Sequence, residues 1–173
     1  MADILEVIKS RRSTRAFKPE QISRNQLEQI LEAGAWAPSG NGFQGWHFCA
    51  LHNAEKVARL AKLIRITLQL DDSYCFYGAP TLIIVSYLRR HPHAWLDGSA
   101  AVENMLLAAQ ALDLGSCWIN QLRSCCDEPA IRALLTEFGV PDKHMVIASV
   151  ALGYIAEPTA PKPRKEGIIN IIE

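Results

Sequence analysis

From Asn104 to Leu112 the chain carries no charged residue, within a segment, Asp97–Leu114, whose apolar spacing predicts a helix. A helix apolar on most of its surface must be covered on nearly all sides. In a chain of 173 residues the expected solution is a helix packed on a sheet and, on its other side, on a partner subunit. The rest of the fold has to be arranged around that requirement.

The sheet is foreshadowed by four runs. Pro80–Tyr87 and Met145–Tyr154 are continuous β-branched or apolar stretches, as suits strands buried on both faces. Trp46–Leu51 and Gly115–Gln121 are shorter and partly polar. Helical spacing appears over Asp3–Ser10 and from Ser23 to about Ala37, where Ser23 and Gln26 form a capping box. It returns over Ala54–Leu70 behind Asn53, and over Glu128–Phe138, with Asp127 as the expected cap and Pro129 in the first turn. Helices and strands alternate, which predicts an α/β class: a mixed central sheet with helices on both faces, one domain over residues 1–173. Tyr74-Cys75-Phe76-Tyr77 reads as core or lid packing, with a ligand wall as the second reading. Prolines keep Pro158–Lys165 extended. The isoleucines at 168, 169, 171 and 172 would be an aggregation hazard as a free edge, so they are expected to dock as a strand, on a partner's sheet.

Charge narrows the functional classes. Lys plus Arg and Asp plus Glu are 18 each, so the formal net charge is zero, without the basic excess of a general nucleic-acid binder. Local clusters therefore call for a small local anion. The sharpest is Arg11-Arg12-Ser13-Thr14-Arg15, built on guanidinium groups whose forked donors suit phosphate oxygens. On composition alone a solvated helix end accounts for it equally well. Gly40, Gly42 and Gly45 match a dinucleotide fingerprint by letter, but a helix precedes them and a strand follows, the reverse of what that site needs. They read instead as a loop that lets backbone N–H groups approach a ligand. His91 and His93 lack acidic or thiol neighbours at ligand spacing and read as a surface loop, so no metal site is expected. No catalytic triad or paired carboxylate stands out. The 5 cysteines are odd in number and without a C-x-x-C pair, the pattern of reduced thiols in a cytoplasmic compartment. No secretory signal is visible, and no apolar run approaches the ~20 residues of a membrane helix.

Taken in order, Arg11-Arg12-Ser13-x-Arg15-x-Phe17, Ala37-Pro38-Ser39 to Gln44-x-Trp46-His47-Phe48, Leu112-x-Leu114-Gly115, Gly153-Tyr154 and Pro161-Lys162-Pro163-Arg164 resemble the FMN-dependent nitroreductase family, as a short member. The resemblance implies a homodimer with two FMN sites at the subunit interface and a C-terminal segment exchanged between partners. It implies that Arg11, Arg12 and Ser13 hold phosphate and ribityl oxygens, with Arg15 at the pyrimidine edge. Pro38, Ser39, Gly40 and Asn41 would reach in from the other subunit, with Gln44 close to the flavin on the same loop. Ile119, Asn120 and Gln121 would lie near flavin N5, and Lys162 and Arg164 would return to the phosphate. The chain departs from the family pattern at Gly45, where a Pro is usual, and at Asn120-Gln121, where an acidic residue and Gly are common. Arg65 is the only candidate for a mid-chain polar contact.

The activity so implied is NAD(P)H oxidation through bound FMN, with hydride passed at N5 to nitroaromatic, quinone or enone-like small molecules. The alternatives are a non-catalytic flavin carrier or redox sensor, and a relative that modifies the flavin or dehalogenates an aromatic.

Overall fold

The structure, a computed structural model, describes residues 3–173. Four strands, β1 Trp46–Leu51, β2 Thr81–Leu88, β3 Gly115–Ile119 and β4 His144–Gly153, form one sheet in the order β1-β2-β4-β3. All three pairings are antiparallel, so the mixed sheet expected narrows to one parallel bridge, Ser13 with Ser116, beside β3. A continuous apolar run reports burial on both faces, not strand direction, and direction was the part the pattern could not carry.

Burial on both faces is what β2 shows. Leu82 and Ile84 point into a cluster with α3 (Ala54–Leu68), α5 (Gln121–Cys125) and α6 (Pro129–Glu137). Ile83, Val85 and Tyr87 point the other way, among residues of α2 (Arg24–Ala35) and α4 (Ala94–Ala111). The short α1 (Ile4–Ser10) buries only Val7 and leaves Ile4, Leu5 and Ile8 exposed. A β-bulge separates Val85, opposite Ala148, from Ser86, opposite Val146. The extra residue, Ile147, joins Ala148 on the α4 side, where a Cβ at Gly98 would lie 2.8 Å from Ile147 Cγ1. The bulge thus delivers a side chain to a helix brought close by a glycine.

Helix α4, which carries no charge from Asn104 to its end, is covered largely from within the chain. Its Ala101, Val102, Met105, Leu106 and Ala109 are buried; Met105 presses on Gly34 of α2, and Asn104 Nδ2 donates to Ala33 O at 3.0 Å. Leu96, 70% exposed, and Glu103 mark the side that neither the sheet nor α2 covers.

The α2 capping box forms as the sequence predicts: Ser23 Oγ accepts from Gln26 N, and Gln26 Oε1 accepts from Ser23 N. Asn53 Oδ1 caps α3 by accepting from Lys56 N at 3.0 Å. Asp127 does not cap α6. Glu128 holds the N-cap position without a side-chain bond, while Asp127 accepts from Arg89 Nη1 at 2.9 Å and Arg132 Nη2 at 3.2 Å. Two guanidinium groups outcompete a helix terminus for one carboxylate. The polar end expected of β3 is instead the start of α5 at Gln121. Beyond the bridge between Phe17 and Ile155, residues 156–173 form no helix or strand, and the C-terminal isoleucines stay exposed in the single chain.

Candidate functional site

The Arg cluster is laced to the sheet by backbone bonds. Arg11 N closes α1 on Val7 O, Thr14 N donates to Ser116 O at 2.9 Å, and Lys18 N donates to Tyr154 O at 2.9 Å. Gly115 allows the approach: a Cβ there would lie 2.8 Å from Thr14 Oγ1 and 2.9 Å from Ile155 Cγ1. The chain's end then crosses the same segment, with Ala156 N donating to Ala16 O at 3.0 Å and Thr159 Oγ1 to Ser13 O at 3.1 Å. Arg11, Arg12, Ser13 and Arg15 thereby line one cavity of about 170 Å³ with Thr159, Ala160, Lys162 and Arg164. Cations distant in sequence meet there, and no carboxylate lines the cavity.

The cations are not equally available. Arg12 Nη1 is committed to Lys9 O at 2.6 Å and Arg11 O at 2.7 Å. Arg11 Nε lies 3.7 Å from Glu103 Oε1 on α4, a loose pairing. Arg15 has no carboxylate partner among the described residues; its Nη1 makes a long contact to Ser13 O at 3.5 Å. Its guanidinium carbon also stands 5.9 Å from the centre of the Tyr77 ring.

Arg15 joins this cavity to a second one of about 670 Å³, walled by Phe17, Leu70, Tyr74, Phe76 and Tyr77 and floored by Ile119 and Gln121. The stretch Tyr74–Tyr77 divides between the two readings its sequence allows. Phe76 is core, 1% exposed, whereas Tyr77 lines the opening with φ 60° beside Phe76 at φ 53°. Two consecutive left-handed aromatic residues are strained, and such strain collects where a ligand is held. Tyr74 also takes the second of those readings, as a lining residue; its buried hydroxyl lacks a hydrogen-bond partner among the described residues, and burial first, then nearby thiols and Tyr77, pushes its pKa up. Gly78, left-handed at φ 73°, is the sequence signal that this stretch turns rather than packs straight.

Of the residues expected near N5, Ile119 and Gln121 line the larger cavity but Asn120 does not. Asn120 Oδ1 accepts from Trp118 Nε1 at 2.8 Å, on the exposed side. Arg65 is also outside the cavity, donating to Asp72 O at 2.8 Å and so bracing the turn behind the aromatic wall.

The loop with Pro38, Ser39, Gly40, Asn41 and Gln44 reaches neither cavity of its own chain. It precedes β1, at the sheet edge opposite β3, and Gly40 N donates to Asp97 Oδ1 at 3.1 Å in the first turn of α4. Ser13 pairs with Ser116 just beyond the other end of that helix. At about 1.5 Å per residue, α4 runs roughly 20 Å from Asp97 to Ala111, so Gly40 and Ser13 sit toward opposite ends of it, while Arg11 reaches back to Glu103, about 9 Å from Asp97 along the axis. His91 stacks on Phe43 of this loop at 4.1 Å, and among the described residues no group of three or more His, Cys, Asp or Glu could hold a metal ion. The cysteines are free thiols, four of them buried, and burial pushes Cys125 up to about 11. No helix among the described residues is long and apolar enough to cross a membrane.

The model of the nitroreductase family matches residues 8–154. The chain belongs to the nitroreductase family. This family member is 43% identical to a Bacteroides fragilis nitroreductase solved with bound FMN, with 100% of each chain covered and a TM-score of 0.94. A protein of Archaeoglobus fulgidus named as an NADH dehydrogenase/NAD(P)H nitroreductase is 33% identical over 156 residues, 89% of this chain and 86% of its own. A Desulfitobacterium hafniense nitroreductase with bound FMN, 24% identical, shares the fold over 100% of both chains with a TM-score of 0.90. The donor set of this nitroreductase fits FMN: a small cationic cavity for a phosphate shares Arg15 with a larger one whose aromatic walls suit a planar ring.

Proposed function

We propose that residues 1–173 form a single flavin-binding domain, working in the cytoplasm as a homodimeric FMN-dependent NAD(P)H oxidoreductase that reduces nitroaromatic, quinone or enone-like small molecules. The observation that carries this reading is the convergence of Arg11 and Ser13 with Lys162 and Arg164 on one cavity that shares Arg15 with an aromatic one. Bound FMN supplies a ring that accepts hydride from a nicotinamide and returns it to an acceptor. Arg11, Arg12, Lys162 and Arg164 hold the phosphate by charge-assisted bonds, with Ser13 beside them. Arg15 sets a fixed cation at the edge of the ring where negative charge gathers. Ile119, Asn120 and Gln121 border the N5 side, Asn120 through its backbone, since its side chain is engaged by Trp118.

A second copy completes the site. Pro38, Ser39, Gly40, Asn41 and Gln44 line neither cavity of their own chain, and a partner's loop supplies them. The exposed isoleucines at 168, 169, 171 and 172 exchange onto the partner, where β1, paired only with β2, offers a free edge. Four buried, free thiols accord with a reducing compartment.

The test is a visible absorption spectrum of purified protein, followed by anaerobic addition of NADH and of NADPH. Yellow protein that bleaches with one of them is expected. Protein that stays colourless after incubation with FMN would sink the proposal, and yellow protein bleached by neither would mark a flavin carrier.

A further inference from the structure

The loop 38–44 holds its shape with little burial to support it. Pro38 and Asn41 to Gln44 are exposed, and Asn41, Gly42 and Gln44 all have left-handed backbones, φ 54°, 66° and 49°. Such a loop reverts to other conformations unless something outside it supplies a tie. One buried side chain does so. Asp97, 5% exposed, accepts the Gly40 N–H on Oδ1 at 3.1 Å and the Tyr87 hydroxyl on Oδ2 at 2.6 Å. Tyr87 is itself 0% exposed within β2, so the carboxylate couples an exposed loop to the buried centre of the sheet. Fit around the tie is close. The His93 ring leaves no room for a Cβ at Gly40, and the Phe43 ring packs against both His91 and Tyr87.

We propose that Asp97 is a positioning residue for the flavin site of the partner subunit: through the Gly40 N–H it sets loop 38–44 in the form that closes the other copy's cofactor cavity. The proposal rests on the composite-site reading given above. It adds that a residue in the first turn of α4, lining neither cavity of its own chain, governs flavin retention across the interface.

The test uses full-length chains. Asp97→Ala is expected to weaken FMN binding about tenfold, the scale of losing one buried acceptor. Asp97→Asn, which keeps an oxygen for Gly40, should recover part of that loss and serves in its place if the alanine variant does not fold. The deciding experiment pairs Asp97→Ala with Arg11→Ala in one dimer, isolated through two different affinity tags. One site then combines an intact Arg11 with an intact partner loop, while the other has neither. Recovery of one full-affinity FMN per mixed dimer is the expected result, and a defect confined to the folding of its own chain would not be repaired this way. Wild-type FMN affinity in both Asp97 variants, or a mixed dimer with no full-affinity site, overturns the proposal. Wild-type affinity in Arg11→Ala alone, or a strictly monomeric protein, overturns the composite site itself and the role of Asp97 with it.

Discussion

Arg11 stands between two claimants, Glu103 at 3.7 Å and the cavity it lines with Lys162 and Arg164. A pair that long and half exposed holds its guanidinium weakly, so an entering phosphate should capture it. Arg11→Ala is expected to weaken FMN by about 1.5–3 kcal/mol, the range for a hydrogen bond to a charged group, read by flavin fluorescence titration. Unchanged affinity would reduce the cluster to surface charge. His144 carries a separate prediction. Burial, then its neighbour His47, holds its pKa below the ordinary 6.5, while its Nδ1 stays within 3.2 Å of Ser86 Oγ. The unfolded chain therefore takes up a proton that the folded chain refuses. Stability should be full above about pH 6.5 and fall as pH drops from there toward the depressed folded value. Urea unfolding at several pH values should show this slope, and His144→Gln should flatten it. A slope unchanged in the variant would assign it to other groups. Arg11 could be picked out from sequence because arginines crowd one short stretch; His144 could not, since its environment is made by β1 and β2.

At the level of elements, the helices that announced themselves did so through local chemistry. Ser23 and Gln26 satisfy each other across one turn, which needs no tertiary context. Ser23→Ala should cost about 1 kcal/mol, visible as a drop in Tm of a few degrees. Asp127 carried the same kind of signal and was taken by Arg89 and Arg132, residues of another loop and of α6 itself, which no local rule anticipates. Two helix glycines separate what can give from what cannot. A Cβ at Gly34 meets the far end of the flexible Met105, whereas one at Gly98 meets the stiff, bulged Ile147. Gly98→Ala should thus destabilise by about 1–3 kcal/mol despite alanine's better helix propensity, and Gly34→Ala by less. Equal Tm values for the two variants would contradict the packing at the bulge.

For the whole molecule the issue is what covers the surfaces that one chain leaves bare: the C-terminal isoleucines, Leu96 on α4 and the outer face of α1. A chain ended at Pro158 lacks Lys162 and Arg164 as well as those isoleucines. It should bind FMN weaker by about 3 kcal/mol or more and sediment as a monomer. A shortened chain that stays yellow and dimeric would show that the tail neither binds the phosphate nor holds the partner.

By itself the sequence determined the periodic and local features: most of the helices and strands, that β2 and β4 are buried on both faces, and where the cationic cluster and the glycine-rich loop lie. These follow from side-chain period and from neighbours a few residues away. Tertiary structure alone decided that the strands run antiparallel, that Tyr74 and Tyr77 wall the cavity beside Arg15, that Asn120 turns away, and that loop 38–44 lines neither cavity of its own chain. Strand direction, cavity shape and the reach of a loop depend on contacts between residues far apart in the chain, and hydrophobic patterning does not encode them.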